Sequence, residues 1–404
     1  MPWFSYSARD TSGRPVEGVL EAADERDLRA RLRERGYYIT AYEVVPAPAA
    51  PRRAFLEPRI TLEDLTTFSF QLAEMINAGL PITQALRAIR EQTLNRSLKR
   101  VIAEVEEEVE GGLSLSEALS RHPHVFSRMY VGLVQTGEVG GVLDMVFTRL
   151  AQYLDRELNT RRKVRSTYIY PAFVLTFATL VLSFLLVFVV PLFERLYGRL
   201  GAQLPALTQG LLTLSRFVRG YWPGILVGLG LVVLGIARGR RLPGLRPLLD
   251  RLTLHLPVVG VLAKKVVISR FVYALGMLLQ GGVPILQALQ TAGEAADNAV
   301  LQAGVQTMRG LVSEGHSLDS AMQRTAFFPP LVVHLVATGQ QTGTLDQSLL
   351  RAGEFLDRDI DYTIRRLAAF LEPALTVFVG VVVGFILVSL YLPVFNLLRV
   401  LQRR

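Results

Sequence analysis

The side chains best suited to chemistry in this sequence are carboxylates and imidazoles, and their spacing argues against a catalytic set. Glu104, Glu106, Glu107, Glu108 and Glu110 form the run EVEEEVE, which would hold a cation if its carboxylates converged. On a helix of 3.6 residues per turn they spread around an outer face, which reads as solvated surface. The five histidines are scattered: His122 and His124 flank Pro123, while His255, His316 and His334 stand alone. A metal site or an acid–base pair needs groups that converge. Cysteine is absent, which excludes disulfides, thiolate nucleophiles and Cys-type zinc sites. The phosphate loop GxxxxGK(S/T), HExxH and GxSxG are missing too. Glu372 stands beside a long apolar run and reads as an interfacial residue. The expectation is a non-enzyme with no catalytic, metal-ligating or cofactor-binding residues and no cofactor.

The elements that carry these residues point to lipid. Half of the 404 residues are hydrophobic and 20% are charged, against about 25% in soluble domains. Residues 166–193 hold no charge between Arg165 and Glu194, and 373–398 hold none between Glu372 and Arg399. A helix crosses roughly 30 Å of hydrocarbon with about 20 apolar residues, so both suffice. A third stretch, 220–237, is shorter and glycine-rich. Tyr221 and Trp222 give it an interfacial belt, and the Arg238, Arg240 and Arg241 cluster gives it a basic stop. Residues 271–293 are also uncharged, but Gln280, Gly281, Gly282, Pro284, Gln287 and Gln290 interrupt them. They read as a hairpin inside a helical bundle, and 325–345, with its double proline, is set aside on the same ground.

The net charge of +9 is local. Residues 156–165 carry five cations against Glu157, and residues 238–265 carry seven against Asp250. Both stretches flank apolar runs, so they read as membrane flanks rather than a nucleic-acid surface. The opening MPWFSYSARD lacks the layout of a cleavable signal, so the first residues are expected in the mature protein.

The sequence repeats itself. At an offset near 203 residues, Phe68 meets Phe271, Leu72 meets Leu275, and AGLPITQAL (78–86) meets GGVPILQAL (281–289). Gly112, Ser114, Leu115 and Ala118 meet Gly315, Ser317, Leu318 and Ala321. After a one-residue slip, TGEVGGVLD (136–144) meets TGQQTGTLD (338–346), and Pro171 meets Pro373. Glycines and prolines have specific backbone roles, so their recurrence in one order exceeds chance. Each copy is expected to be a soluble bundle ending in a membrane helix entered at Pro171 or Pro373. Two copies in one orientation require a crossing between them, which 220–237 supplies. This is a parallel duplication, unlike the inverted repeats common in transporters. A transporter on a parallel repeat is the alternative, but it needs polar groups at mid-membrane, which these spans lack.

Within a copy, Leu62, Leu65, Phe68, Leu72 and Ile76 make one apolar helical face. Gly79-Leu80-Pro81 breaks that helix and restarts it, and Ser114 to Glu117 resembles a capping box. The first 45 residues differ. WFSYSA, VEGVLEA and YYITAYEVV alternate like strands, with Asp10 to Pro15 as a turn and an amphipathic helix from Asp24 to Gly36. The segment 46–53, PAPAAPRR, suits a semi-extended tether.

The start with Phe4, Tyr6, Ala8, Asp10, Gly13, Gly18, Glu21 and Ala22, the two G-x-P hairpins, and GEVGGVLD (137–144) together resemble the GspF/PilC family, inner-membrane platform proteins of type II secretion and type IV pilus machines. That resemblance implies an all-α membrane protein: two duplicated cytoplasmic six-helix bundles and three transmembrane helices, with a small N-terminal ββαβ unit. The expected division is a docking unit 1–45, a linker 46–59, the first bundle 60–167 and transmembrane helix 168–192. A periplasmic loop 193–217, transmembrane helix 218–238, second bundle 239–369, transmembrane helix 370–393 and periplasmic tail 394–404 follow. The implied location is the inner membrane, multi-pass, with a cytoplasmic N-terminus. Implied partners are a cytoplasmic hexameric assembly ATPase, pilins or pseudopilins, inner-membrane alignment proteins, further copies of the chain, and membrane lipid, with no nucleic acid. The motif residues carried over as structural or interaction sites are Gly79, Pro81, Gly137, Glu138, Gly141 and Pro171 in the first copy. In the second they are Gly282, Pro284, Gly339, Gly343 and Pro373. Gln340 departs from the pattern at the position of Glu138, so a role for that glutamate is expected in the first copy only.

Overall fold

The computed structural model describes residues 3–9, 15–22, 28–29, 32, 37–45, 58–192, 195, 206–239, 242, 244–256 and 259–401. Its contacts group the chain into an N-terminal unit ending at Arg59, with which Asn95–Ser97 also group, and a helical unit that takes the rest. Each is described by itself.

The N-terminal unit is a three-stranded antiparallel sheet of order β2-β1-β3, with β1 Trp3–Arg9, β2 Pro15–Glu21 and β3 Tyr38–Val45. Strand side chains alternate between faces. Phe4, Tyr6 and Ala8 therefore share one face, where they are buried with Ala22, Leu28 and Leu32. The β1–β3 register shifts between Ser7 and Ala8. Leu28, Arg29 and Leu32 are helical, in the segment expected to form a helix. The rest of that helix, most of the Asp10 to Pro15 turn and the 46–53 tether lie outside the described residues.

In the helical unit the first copy runs through α1 Leu62–Asn77, α2 Ile82–Gln92, α3 Arg96–Glu110, α4 Leu115–Ser120, α5 Arg128–Gly140 and α6 from Leu143. Local sequence fixes several of these boundaries. Thr61 and Asp64 form a capping box on α1, and Ser114 and Glu117 form one on α4. Between the copies lie α7 Ala206–Gly239 and α8 Arg246–His255. The second copy repeats the order with α9 Val259–Gln280, α10 Ile285–Ala295, α11 Ala299–Ser313, α12 Leu318–Thr325, α13 Pro330–Thr342 and α14 Leu345–Leu401. In each copy the first helix packs along the last, α1 on α6 and α9 on α14. The aromatic packing repeats as well: Phe68 lies 5.8 Å from Phe126, and Phe271 lies 5.5 Å from Phe328. One buried cluster, from Leu65 to Leu356, contains residues of both copies. The uncharged 271–293 stretch is accordingly a hairpin of α9 and α10, with Phe271 to Leu275 buried inside this core.

Among the described residues two helical stretches are long and apolar enough to cross a membrane, Leu143–Leu192 and Leu345–Ser389. Their outer parts expose large apolar side chains, Phe173, Phe177, Leu180 and Phe188 on α6 and Val377, Phe378 and Val381 on α14. Water would penalise that surface, and hydrocarbon would not. α6 passes through Pro171 and then a π-turn, Leu185–Val189. α14 passes through Pro373 and runs on to Leu401, through residues expected as a tail. Neither proline ends its helix.

The segment 206–217, expected within a loop, is helical and continuous with 220–237. Its Leu211 and Leu212 are buried with Leu186 and Val190 of α6. Thr208 Oγ1 donates to the Ser389 carbonyl of α14 at 2.7 Å, and Ser215 Oγ donates to the Leu186 carbonyl. This apolar face and its two hydroxyls draw 206–217 onto the other two helices and explain the longer helix.

Candidate functional site

The motif residues fall into two kinds of joint within each copy. The first is the α1–α2 turn and its mate between α9 and α10. Gly79 and Gly282 both have φ of +83°, a conformation that L side chains rarely adopt. Pro81 and Pro284 stand at the N-caps of α2 and α10, where the fixed proline φ prepares the helix start.

The second joint lies where α5 meets α6 and α13 meets α14. Gly141 (φ +68°) and Gly343 (φ +71°) end α5 and α13 in left-handed conformation. Gly137 and Gly339 serve close packing instead. A Cβ on Gly137 would sit 2.7 Å from Val146 Cγ2, and one on Gly339 would sit 2.5 Å from Ser348 Cβ. Glu138 crosses from this joint to α4. Its carboxylate accepts from the Leu115 N–H at 2.6 Å, the Ser116 N–H at 3.1 Å and the Ser116 hydroxyl at 2.7 Å. Free N–H groups and the positive end of the helix dipole make this a favourable place for a carboxylate. In the second copy Gln340 accepts from the Leu318 N–H alone, at 3.1 Å. The position is therefore a helix cap in both copies, charged in one and neutral in the other.

The second copy also differs at the neighbouring position. Asp319 follows Leu318 in the second copy as Ser116 follows Leu115 in the first, so the first turn of α12 already carries a carboxylate. A glutamate at 340 would place a second carboxylate at this helix start.

The two copies meet along a seam. Toward the apolar ends of α6 and α14, charge dominates. Glu157 of α6 receives Arg270 of α9 at 2.5 Å and Arg161 at 2.6 Å. Lys163 pairs with Asp361 across the seam at 2.8 Å, and within the second copy Lys265 pairs with Asp359 at 2.8 Å. Arg156 lies over the Tyr273 ring at 4.8 Å. The half-buried Asp357 accepts from Ser269 Oγ and Tyr273 Oη, each at 2.9 Å. Burial pushes the Asp357 carboxyl above its ordinary value, with the Tyr273 and Ser269 hydrogen bonds opposing, and burial also raises the Tyr273 phenol. At the other end the copies form an open groove of ≈ 890 Å³, lined by Gln135 and Gly140 of the first copy and Gly282, Pro284, Gln287 and Gln290 of the second. Arg128 and Glu294 bridge it at 3.1 Å. The second hairpin motif thus faces the first copy, whereas Gly79 and Pro81 do not line this groove. Pro171 and Pro373 lie apart from both joints, on the exposed apolar segments.

The acidic run is not uniformly solvated. Glu106 is buried, and it holds Arg87 at 2.9 Å and Arg90 at 3.0 Å. That hydrogen bond and the Glu110 charge raise the Arg87 guanidinium above its ordinary value. A helix carries one face inward, and Glu106 falls on the face of Leu98, Val101, Ile102 and Val105. Arginines from α2 supply the counter-charge. His122 is buried with Nε2 3.7 Å from Glu104. Among the described residues no three His, Asp or Glu side chains converge as a metal site. Sequence reasoning missed Glu157, Arg270, Tyr273 and Asp357. The only signal was the repeat itself, which sets Asp155 and Glu157 opposite Asp357 and Asp359.

The profile described as "Type II secretion system (T2SS), protein F" matches residues 68–191 and again 271–393. That described as "Type II secretion system protein F, N-terminal domain" matches 1–42. The chain is 38% identical over 411 residues to the type IV pilus assembly protein PilC of Thermus thermophilus, covering all of both chains. It is 34% identical to the protein of that name from Myxococcus xanthus, covering 99% of this chain and 96% of that one. It is 32% identical to the type II secretion system protein F of Vibrio cholerae, again over all of both. The duplication read from glycines and prolines, the two profile matches and these full-length likenesses agree: the chain belongs to the type II secretion system protein F family.

Proposed function

We propose that this chain is the inner-membrane platform of a type IV pilus or type II secretion machine, where it couples a cytoplasmic ATPase to insertion and extraction of pilins or pseudopilins. The observation that carries this reading is continuity: α6 and α14 each run unbroken from the shared core into an exposed apolar segment. A displacement of the core is then transmitted along backbone hydrogen bonds rather than lost in a loop. Each copy acts as a six-helix cytoplasmic bundle. α7 is the returning third span, so both copies face the same side as the N-terminus. The chain itself catalyses nothing, and the motor is a partner. The relatives named for pilus assembly and for secretion support the two machine classes.

A flexible Gly-Ser insertion after Tyr170, and its mate after Glu372, tests the coupling. The expected result is retained membrane insertion and retained co-purification with the ATPase, with loss of surface pili or secretion. Normal assembly with the insertions in place would remove the basis for the reading. Reporters at residues 100 and 300 should be found on the same face of the bilayer.

A further inference from the structure

We propose that the groove between α6 and α9 binds an anionic phospholipid, its phosphodiester held by Arg161 and Arg165 and an acyl chain lying along Val164 and Val266. This groove, of ≈ 380 Å³, is distinct from the one bridged by Arg128. It is lined on α6 by Arg161, Val164, Arg165 and Tyr168, spaced as one helical face, and on α9 by the face from Val259 to Arg270. The floor is apolar and includes the buried Leu262 and Val267.

Three guanidinium groups reach this groove, and one carboxylate answers them. Glu157 takes both Arg161 and Arg270 at its closed end. Arg165 is exposed and forms no ion pair among the described residues. The groove therefore holds about two unneutralised positive charges, which complement a phosphodiester.

Its level in the protein selects a lipid over a soluble anion. From the Glu157–Arg270 pair, α6 runs outward to Tyr168 and α9 runs back to Val259, each about 16 Å along a helix axis. The antiparallel pairing of α9 with α14, Tyr273 to Asp357 and Lys265 to Asp359, sets the same direction. The open mouth thus lies where α6 loses its charges, after Arg165. Immediately before α9, α8 exposes Leu248 (64%) and Leu252 (63%) on one side, and Leu256 (46%) follows at its C-cap. Exposed leucines along a short helix and at its C-cap suit a bilayer interface and not water. A basic, apolar-floored groove at that level fits a headgroup with its acyl chain.

The test is native mass spectrometry of the full-length protein in neutral detergent, titrated with phosphatidylglycerol, with phosphatidylcholine, or with inorganic phosphate. Wild type should retain phosphatidylglycerol adducts well above phosphatidylcholine adducts. R161Q/R165Q should lower the phosphatidylglycerol occupancy at least five-fold, whereas K99Q/R324Q, of equal charge change on other exposed helices, should leave it unchanged. Should R161Q/R165Q fail to fold, R165Q alone, which breaks no ion pair, and A263W, which fills the groove without changing charge, are read instead, each with at least a two-fold loss expected. Equal retention of the two lipids, equal loss in K99Q/R324Q, or unchanged occupancy in the groove variants would overturn the proposal. So would displacement of the lipid by millimolar inorganic phosphate, which would make the groove a free-phosphate site.

Discussion

Replacing Glu138 and Gln340 tests whether the two copies use one joint with two electrostatic settings. Glu138→Ala removes the acceptor of three hydrogen bonds at the start of α4. Bonds to a charged partner contribute about 1.5–3 kcal/mol each, but these share one carboxylate at a half-exposed site where water replaces part of the loss, so about 2–3 kcal/mol in total is expected. In the second copy, Gln340→Glu brings a second carboxylate to the α12 start that already carries Asp319, with an expected repulsion of about 1 kcal/mol near the surface. Adding Asp319→Ser recreates the Ser116–Glu138 arrangement and should recover that loss, a coupling of about 1 kcal/mol between the two positions. Scanning fluorimetry of the full-length protein in detergent reads these as shifts of about 2–4 °C per kcal/mol. Glu138→Ala should fall by about 4–12 °C and Gln340→Glu by about 2–4 °C, with Q340E/D319S near wild type. If Q340E/D319S is as unstable as the two single changes combined, the charge argument fails and the glutamine has another origin.

Glu157→Gln should destabilise by about 2–4 kcal/mol, because Arg270, only 18% exposed, loses its counter-charge; E157L/R270L should be milder, as read by thermal unfolding. Asp357 carries a folded-state pKa raised from 3.8, so the stability it contributes is full below that value and is lost as pH rises through the raised one. Asp357→Asn should therefore gain on wild type as pH is raised from about 4 to neutral, and a melting-temperature difference that does not move with pH would contradict the burial argument. Gly137→Ala should cost about 1–3 kcal/mol through the Val146 contact, with partial rescue by Val146→Ala, measured by the same unfolding assay.

Backbone-determining residues made most of the helical order legible. Glycine and proline constrain φ directly, so the turns at Gly79-Leu80-Pro81 and Gly282-Val283-Pro284 could be placed from the sequence, whereas Gly141 was visible only as a repeated motif position and its role as a helix end was not. Ser114 and Glu117 likewise announced a cap that the structure contains. Alternation over Phe4, Tyr6 and Ala8 announced β1. The contacts that join the copies were not legible. Glu157 and Arg270 lie far apart in sequence, and nothing in the local pattern of either names the other. Glu106 was misread because a run of like residues hides which member faces inward, and that choice is set by α2 and its arginines. The helical 206–217 segment was missed because Arg216 and Arg219 mask an apolar face that matters only once α6 and α14 are beside it.

The uninterrupted length of α6 has a consequence in simple lever arithmetic. From Leu143 to Leu192 it holds 50 residues, or about 75 Å of axis at 1.5 Å per residue. A tilt of about 5° at its inner end would carry the outer end sideways by about 6.5 Å, more than the 5.4 Å pitch of one helical turn. The same tilt moves the helix by only about 3 Å where it leaves the core near Arg165, so a reorientation modest within the bundle is more than doubled at the far end of the rod.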